Sequence, residues 1–317
     1  MENINFDLAS SITKAASKQT YYTIRFLADR DRVEDAYRAY AYFRWVDDVL
    51  DGEAGSGVER SAFIQRQRSL LESCIRDEPL LDVDIQEEML IELVQRDAEK
   101  NRALRQAQDS GLQSYLGNMM AVMIFDVERR GKLISQARLS EYTRWLATAV
   151  TEALHYFIGH SEYSPQNEAR YLAVSAAHIT HMLRDTYDDI QMGYYNIPRE
   201  VLNGNRITPQ DVKSNAYRAW VRNRVQLARS YFKAGKDYFR QVGNVRCRLA
   251  GYAYISRFEW LLDTFERENY LLRPQYNERK SFGTGVRMSL DVLSTILHPR
   301  RAGTVPQAVP VRTGSLR

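Results

Sequence analysis

Helix breakers are scarce in this sequence, and their scarcity limits the folds that it can adopt. The 317 residues include only 8 prolines and 16 glycines. The long stretches between them repeat apolar side chains with the period of a helix, and alternating strand-like runs are missing. We therefore predict an all-α fold. Its helices are expected near residues 10–28, 33–51, 58–76, 84–108, 111–130, 138–160, 167–192, 208–242, 245–270 and 281–297.

The end of the chain differs in composition from the rest. Residues 298–317 are basic, contain Pro, Gly and Thr, and are almost without aromatics, which is typical of disorder. We assign 1–297 to a single domain and 298–317 to a disordered tail. A solvated tail is the interpretation that we favour, and contact with an anionic membrane surface is the alternative.

The overall charge and the cysteines exclude several classes of function. With 44 basic and 40 acidic residues the net charge is only +4, so no nucleic-acid partner is indicated. Cys74 and Cys247 form no CxxC motif and predict neither a disulfide framework nor a zinc site. The N-terminus does not resemble a signal peptide, and no run of about 18 apolar residues occurs. We expect a cytoplasmic protein, with peripheral membrane contact as the alternative.

Two clusters of acidic residues lie in segments with helical periodicity, where residues three, four and seven apart share a face. Carboxylates 4 Å apart repel by about 4 kcal/mol at an effective dielectric near 20. A partly buried face of this kind needs cations, and oxygen ligands suit Mg²⁺. One cluster alone would be typical of a solvated helix end, but the pair favours a metal site. The clusters are Arg44, Asp47, Asp48 and Asp51, and His181, Arg184, Asp185, Asp188 and Asp189.

These two motifs, RxxDDxxD at 44–51 and RDxxxD at 184–189, resemble those of the squalene and phytoene synthase family, the head-to-head prenyltransferases. The resemblance covers most of the chain. It implies a single-domain helical bundle of the isoprenoid synthase type with a central active-site cavity. Further segments that resemble the family are residues 17–21, 25–32, 125–128, 142–152 and 257–270.

The resemblance also implies a reaction. Two prenyl diphosphates, farnesyl or geranylgeranyl, would bind between the acidic helices, bridged by Mg²⁺. Ionisation of one diphosphate leaves an allylic cation that the second molecule attacks, and a squalene- or phytoene-type product follows. Proton loss or hydride from NADPH would finish it. The use of NADPH, the chain length and the oligomeric state stay open.

Matching positions suggest a role for each candidate residue. The expected catalytic residues are Tyr40, Arg44, Asp47, Asp51, Tyr142, Asp185 and Asp189. The expected diphosphate-binding residues are Ser17, Lys18, Arg44, His181 and Arg184. The expected metal ligands are Asp47, Asp48, Asp51, Asp185 and Asp189, with Asp188 as a direct or indirect ligand.

Two histidines depart from the family pattern. His178 and His181 stand where the family has Gln and Asn. We favour hydrogen bonds from these imidazoles to phosphate or to neighbouring groups. A site tuned towards Mn²⁺ or Zn²⁺ is the alternative.

Further departures concern the second substrate. Tyr194 replaces a diphosphate-binding arginine, Asn196 replaces a tyrosine, and Thr148 and Thr151 replace two glycines. The threonines are expected to narrow or reshape the cavity. Two alternative functions therefore stand beside head-to-head synthesis. One is a terpene synthase or cyclase that acts on a single substrate, and the other is a non-catalytic pathway partner.

Overall fold

The computed structural model describes residues 2–52, 56–80, 82–104, 111–160 and 162–276. Within these ranges every regular element is helical, which confirms the all-α prediction. The predicted helix at 281–297 and the tail at 298–317 lie outside the described residues, and the division into domain and tail stays a prediction. The α-helices are α1 Glu2–Ala16, α2 Lys18–Leu27, α3 Val33–Asp51, α4 Gly57–Ile75, α5 Ile85–Leu104, α6 Gly111–Arg129, α7 Gln136–Phe157, α8 Ala169–Arg184, α9 Thr186–Met192, α10 Arg199–Asn205, α11 Asn215–Phe239 and α12 Val245–Arg267.

Several helix ends follow from local chemistry. Ser56 and Glu59 form a capping box at the start of α4, in which each side chain bonds the backbone of the other, satisfying N–H groups that a helix start leaves unpaired. Gly131 adopts a φ of 75° just after α6, a backbone conformation that suits glycine. Pro198 precedes the short helix α10, a position where its missing N–H leaves no bond unmade.

Three predicted helices differ from the structure. The segment 10–28 forms two helices, because Ser17 has an extended backbone and its Oγ accepts the Thr20 N–H at the start of α2. The predicted helix at 208–242 begins only at 215, where Ser214 caps α11. The segment 167–192 is interrupted at Asp185. There the Thr186 hydroxyl donates to the Met182 and Leu183 carbonyls of the preceding turn, a type of bond that competes with regular helix bonding.

Buried contacts fix the helices that carry the acidic clusters. α8 packs along α11 and α7, while α6 packs along α7. On α3 the carboxylate of Asp35 is only 1% exposed and lies 2.8 Å from Lys100 Nζ and 3.0 Å from Arg96 Nε of α5. Such paired burial fixes the position of α3, since an unpaired buried charge is costly. No helix of the described ranges is long and apolar enough to cross a bilayer.

Candidate functional site

A cavity of about 260 Å³ brings the two acidic clusters together. Asp47 and Asp51 line it from the last two turns of α3, and Asp185 and Asp189 line it from the α8–α9 junction. The resemblance to a family implied that the two acidic helices would lie on either side of one site, and the structure places all four carboxylates on the walls of this cavity. Its remaining walls come from α4, α6, α7 and the segment that follows α9.

In the first cluster, Arg44 bonds to its own helix. Its Nε donates to Asp48 Oδ2 at 3.2 Å, and its Nη1 donates to Asp47 Oδ2 at 3.4 Å. Asp48 is 55% exposed and, like Arg44, does not line the cavity. Arg44 therefore offsets the negative charge of α3 from its outer side.

In the second cluster, Arg184 forms a bidentate pair with the neighbouring Asp185. Its Nε and Nη2 donate to the two carboxylate oxygens, each at 2.6 Å. His181 Nε2 lies 3.3 Å from Asp185 Oδ2 and also contacts the Arg184 guanidinium. Arg184 does not line the cavity, whereas His181 does. Asp188 is exposed and lies outside the cavity.

Three of the cavity carboxylates, Asp47, Asp51 and Asp189, are harder to ionise than ordinary aspartates. Burial, together with repulsion from Asp51, raises the pKa of Asp47 to about 6. Burial and the neighbouring Asp185 raise the pKa of Asp189 to about 7. Burial also raises the pKa of Asp51. The protein's own cations do not compensate for these charges, so the donor set suits an added cation.

A cation here would need ligands besides the protein. No three His, Cys, Asp or Glu side chains of the described residues are placed to hold a metal ion by themselves. Mg²⁺ commonly binds through one or two carboxylates, its own waters and substrate phosphates. The separated carboxylates therefore fit Mg²⁺ that arrives with a phosphorylated ligand.

A chain of hydrogen-bonded side chains runs along one wall. Asn196 Nδ2 donates to Asp189 Oδ2 at 2.6 Å, and Arg129 Nη1 donates to Asn196 Oδ1 at 2.9 Å. Arg129 Nε also donates to Asp126 Oδ1 at 2.7 Å, and the Tyr142 hydroxyl donates to the other Asp126 oxygen at 3.0 Å. We call these five residues the Asp189–Tyr142 chain. It links the second acidic cluster to α6 and α7.

Tyr142 therefore has an environment that the sequence did not indicate. The Arg129 guanidinium lies 4.8 Å from the centre of its ring, and the ring edge packs on His178 at 4.9 Å. Burial and the Asp126 charge keep the pKa of Tyr142 well above its usual value. The hydroxyl thus stays protonated and holds Asp126.

His178 is buried in the wall of the cavity. Its side chain is 6% exposed, and its Nε2 has no hydrogen-bond partner within the described residues. Burial, and then the charges of His181 and Arg129, lower the pKa of His178 to about 3. The ring is therefore neutral at pH 7.

Other candidates from the sequence lie away from the cavity. Ser17 caps α2, Lys18 is exposed at the start of that helix, and Tyr40 is half-buried one turn before Arg44. None of the three lines the cavity. Thr148 and Thr151 do not line it either, and the expectation that they narrow or reshape the substrate cavity stays a prediction.

Two arginines at the end of α6 line the cavity without having been singled out from the sequence. Arg129 lies 4.8 Å from the ring centre of Tyr194, and Arg130 lies 5.8 Å from it. The only sequence signal was the spacing of Asp126 and Arg129, which suits an ion pair within a helix. Nothing in the sequence placed Arg130 beside Tyr194.

Sequence comparison gives one family. The squalene/phytoene synthase profile matches residues 13–283. A 15-cis-phytoene synthase from Synechocystis sp. is 30% identical over 112 residues, which is 34% of this chain. That match spans 33% of the cyanobacterial protein's length.

Solved structures share the fold. A squalene synthase HpnC from Alicyclobacillus acidocaldarius superposes with a TM-score of 0.64 at 16% identity, covering 85% of this chain and 95% of that one. A dehydrosqualene synthase in complex with ligand gives a TM-score of 0.70 at 17% identity, covering 93% and 97%. At these identities the likeness is one of fold.

Proposed function

The chain belongs to the squalene/phytoene synthase family, and on that premise we propose that it joins two prenyl diphosphates head to head in the acidic cavity. Farnesyl and geranylgeranyl diphosphate are the proposed substrates, and Mg²⁺ is the proposed metal. The products would be hydrocarbons of the squalene or phytoene type.

The observation that carries the proposal is the convergence of both acidic clusters on one cavity. Asp47 and Asp51 face it from α3, while Asp185 and Asp189 face it from the α8–α9 junction. The raised pKa values of Asp47 and Asp189 show that burial already costs these carboxylates some of their ionisation. A cation would recover that cost, and a diphosphate would supply the ligands that the protein lacks.

Each part of the wall has a role in this reaction. Mg²⁺, when bound, would neutralise the diphosphate and so favour cleavage of the allylic C–O bond. Asp47, Asp51, Asp185 and Asp189 would hold the cation, and Asn196 would keep Asp189 oriented through its 2.6 Å hydrogen bond. Arg44 and Arg184 would fix the carboxylates from outside the cavity rather than touch the diphosphate, as their present contacts suggest.

The first test is product formation. Purified protein is incubated separately with farnesyl and geranylgeranyl diphosphate, with Mg²⁺, and with or without NADPH. Pyrophosphate release is followed over time, and the molecular masses of the extracted products are determined by mass spectrometry. A C30 or C40 hydrocarbon supports the proposal and names the substrate. Release with only C15 or C20 products would favour a single-substrate terpene synthase, and no release with any divalent metal would favour a non-catalytic partner.

Variants then locate the site. Asp47→Ala and Asp185→Ala are expected to abolish turnover while leaving helicity unchanged, because each removes a proposed cation ligand. Asp237→Ala is the control, since this aspartate is exposed on α11 and outside the cavity. Turnover that survives both cavity substitutions would place the reaction elsewhere.

A further inference from the structure

Arg129 and Arg130 both line the cavity, but they differ in how many of their nitrogens already have protein hydrogen-bond acceptors. Arg129 donates to Asp126 and to Asn196, so two of its three nitrogens already have protein acceptors. Its side chain is only 7% exposed. Such a guanidinium is part of the wall, and its Nε and Nη1 would have to break these bonds to hold a ligand.

Arg130, the next residue, is bound quite differently. Its Nε donates to the Met192 carbonyl at 3.2 Å, which secures the side chain against the end of α9. Its Nη1 is buried and has no hydrogen-bond partner within the described residues. The ion pairs of those same residues include none between Arg130 and a carboxylate within 4.0 Å. Yet Arg130 lines the cavity.

A buried N–H group without an acceptor is destabilising, and more so when it is charged. A ligand with several anionic oxygens would remove this destabilisation. A guanidinium suits phosphate oxygens because it is planar, always charged and able to donate in a fork. Burial raises the pKa of the nearby Asp51, and the positive charge of Arg130 is the largest effect that opposes this rise.

We propose that Arg130 binds the diphosphate of a substrate, and that it supplies from α6 the guanidinium that Tyr194 does not supply from the segment after α9. This proposal rests on the proposed function. Arg130 and Tyr194 meet on one wall, with the guanidinium 5.8 Å from the ring centre. This wall thus receives a positive charge from the residue that directly follows α6.

The test measures the affinity for inorganic pyrophosphate with Mg²⁺ by titration calorimetry. Arg130→Gln is expected to weaken binding at least tenfold, the loss of one charge-assisted hydrogen bond. Arg144→Gln is the matched control, because Arg144 is exposed on α7 and outside the cavity. Thermal unfolding of each variant shows whether the fold is intact.

A rescue variant separates binding from a structural role. If Arg130 only secured α9 through the Met192 carbonyl, adding Tyr194→Arg to Arg130→Gln would restore nothing. If the charge itself binds pyrophosphate, the double variant recovers most of the lost affinity. Unchanged affinity in Arg130→Gln, or no recovery in the double variant, would overturn this inference while wild-type turnover keeps the proposed function intact. Wild-type protein that binds no pyrophosphate with Mg²⁺ would overturn both.

Discussion

Asn196 joins Asp189 to Arg129 in the Asp189–Tyr142 chain, and its removal should have a large effect on stability. Asn196→Ala leaves Asp189 Oδ2 without its 2.6 Å donor and Arg129 Nη1 without its 2.9 Å acceptor. Asn196 is only 7% exposed, so water cannot readily take its place. Both lost partners carry charge at pH 8, above the pKa of about 7 for Asp189, so the measurement is made at that pH.

The size of the loss follows from these two bonds. A hydrogen bond to a charged group contributes about 1.5–3 kcal/mol to stability. Two of them would give about 3–6 kcal/mol if they were independent. Because they share one side chain and the wall can relax, we expect a loss of about 3 kcal/mol in the free energy of unfolding.

Urea unfolding of the apoprotein in EDTA measures this loss. The midpoint should fall without a change in the slope of the unfolding free energy, since the surface exposed on unfolding stays the same. Asn205→Ala is the matched control. Asn205 is exposed and bonds only the Val201 carbonyl, so a change within about 0.5 kcal/mol is expected. A loss below about 1 kcal/mol for Asn196→Ala would refute the reasoning, because the two bonds would then have solvent substitutes.

Two further predictions concern Asp189 and the turn at Gly193 that follows α9. The folded-state pKa of Asp189, about 7, exceeds its ordinary value of 3.8, so its ionisation lowers stability as pH rises from about 4 through 7. In EDTA, the melting temperature of Asp189→Asn relative to wild type should therefore rise between pH 5 and pH 8, and a constant difference would contradict the assigned shift. Gly193 has a φ of 85°, and an added Cβ would lie 3.3 Å from the Gly131 nitrogen. Gly193→Ala should cost about 1–2 kcal/mol of stability in urea unfolding, and an unchanged midpoint would show that this turn relaxes freely.

The fold and the acidic pair were predictable because both depend on local spacing. Helical periodicity and scarce helix breakers predict helices, and α3 was predicted with its observed bounds of Val33 and Asp51. The spacing of Asp47 and Asp51 puts them on one face of that helix. Their meeting with Asp185 and Asp189 is tertiary, and it came from the resemblance to a family rather than from periodicity.

Other features depend on contacts that spacing cannot show. The helix break at Asp185 involves a hydroxyl of Thr186 that bonds backwards along the chain, and threonine is equally compatible with an unbroken helix. Arg130 faces the cavity because α6 ends against α9, where Gly131 N donates to Gly193 O at 2.8 Å. Residues 62 positions apart gave no sequence signal of this contact.

The Asp189–Tyr142 chain also constrains how this protein can be redesigned. Each inner member uses its neighbours as partners, so no inner position can change alone without leaving a charged or polar group unpaired. A tyrosine transplanted at Asn196 to match the family pattern would separate Arg129 from Asp189. To keep every group paired, such a graft would also have to substitute the residues at positions 129 and 189. The side chain of Tyr194 contacts the chain only through its ring, which lies beside the Arg129 guanidinium, so an exchange at this position would break none of the chain's side-chain hydrogen bonds.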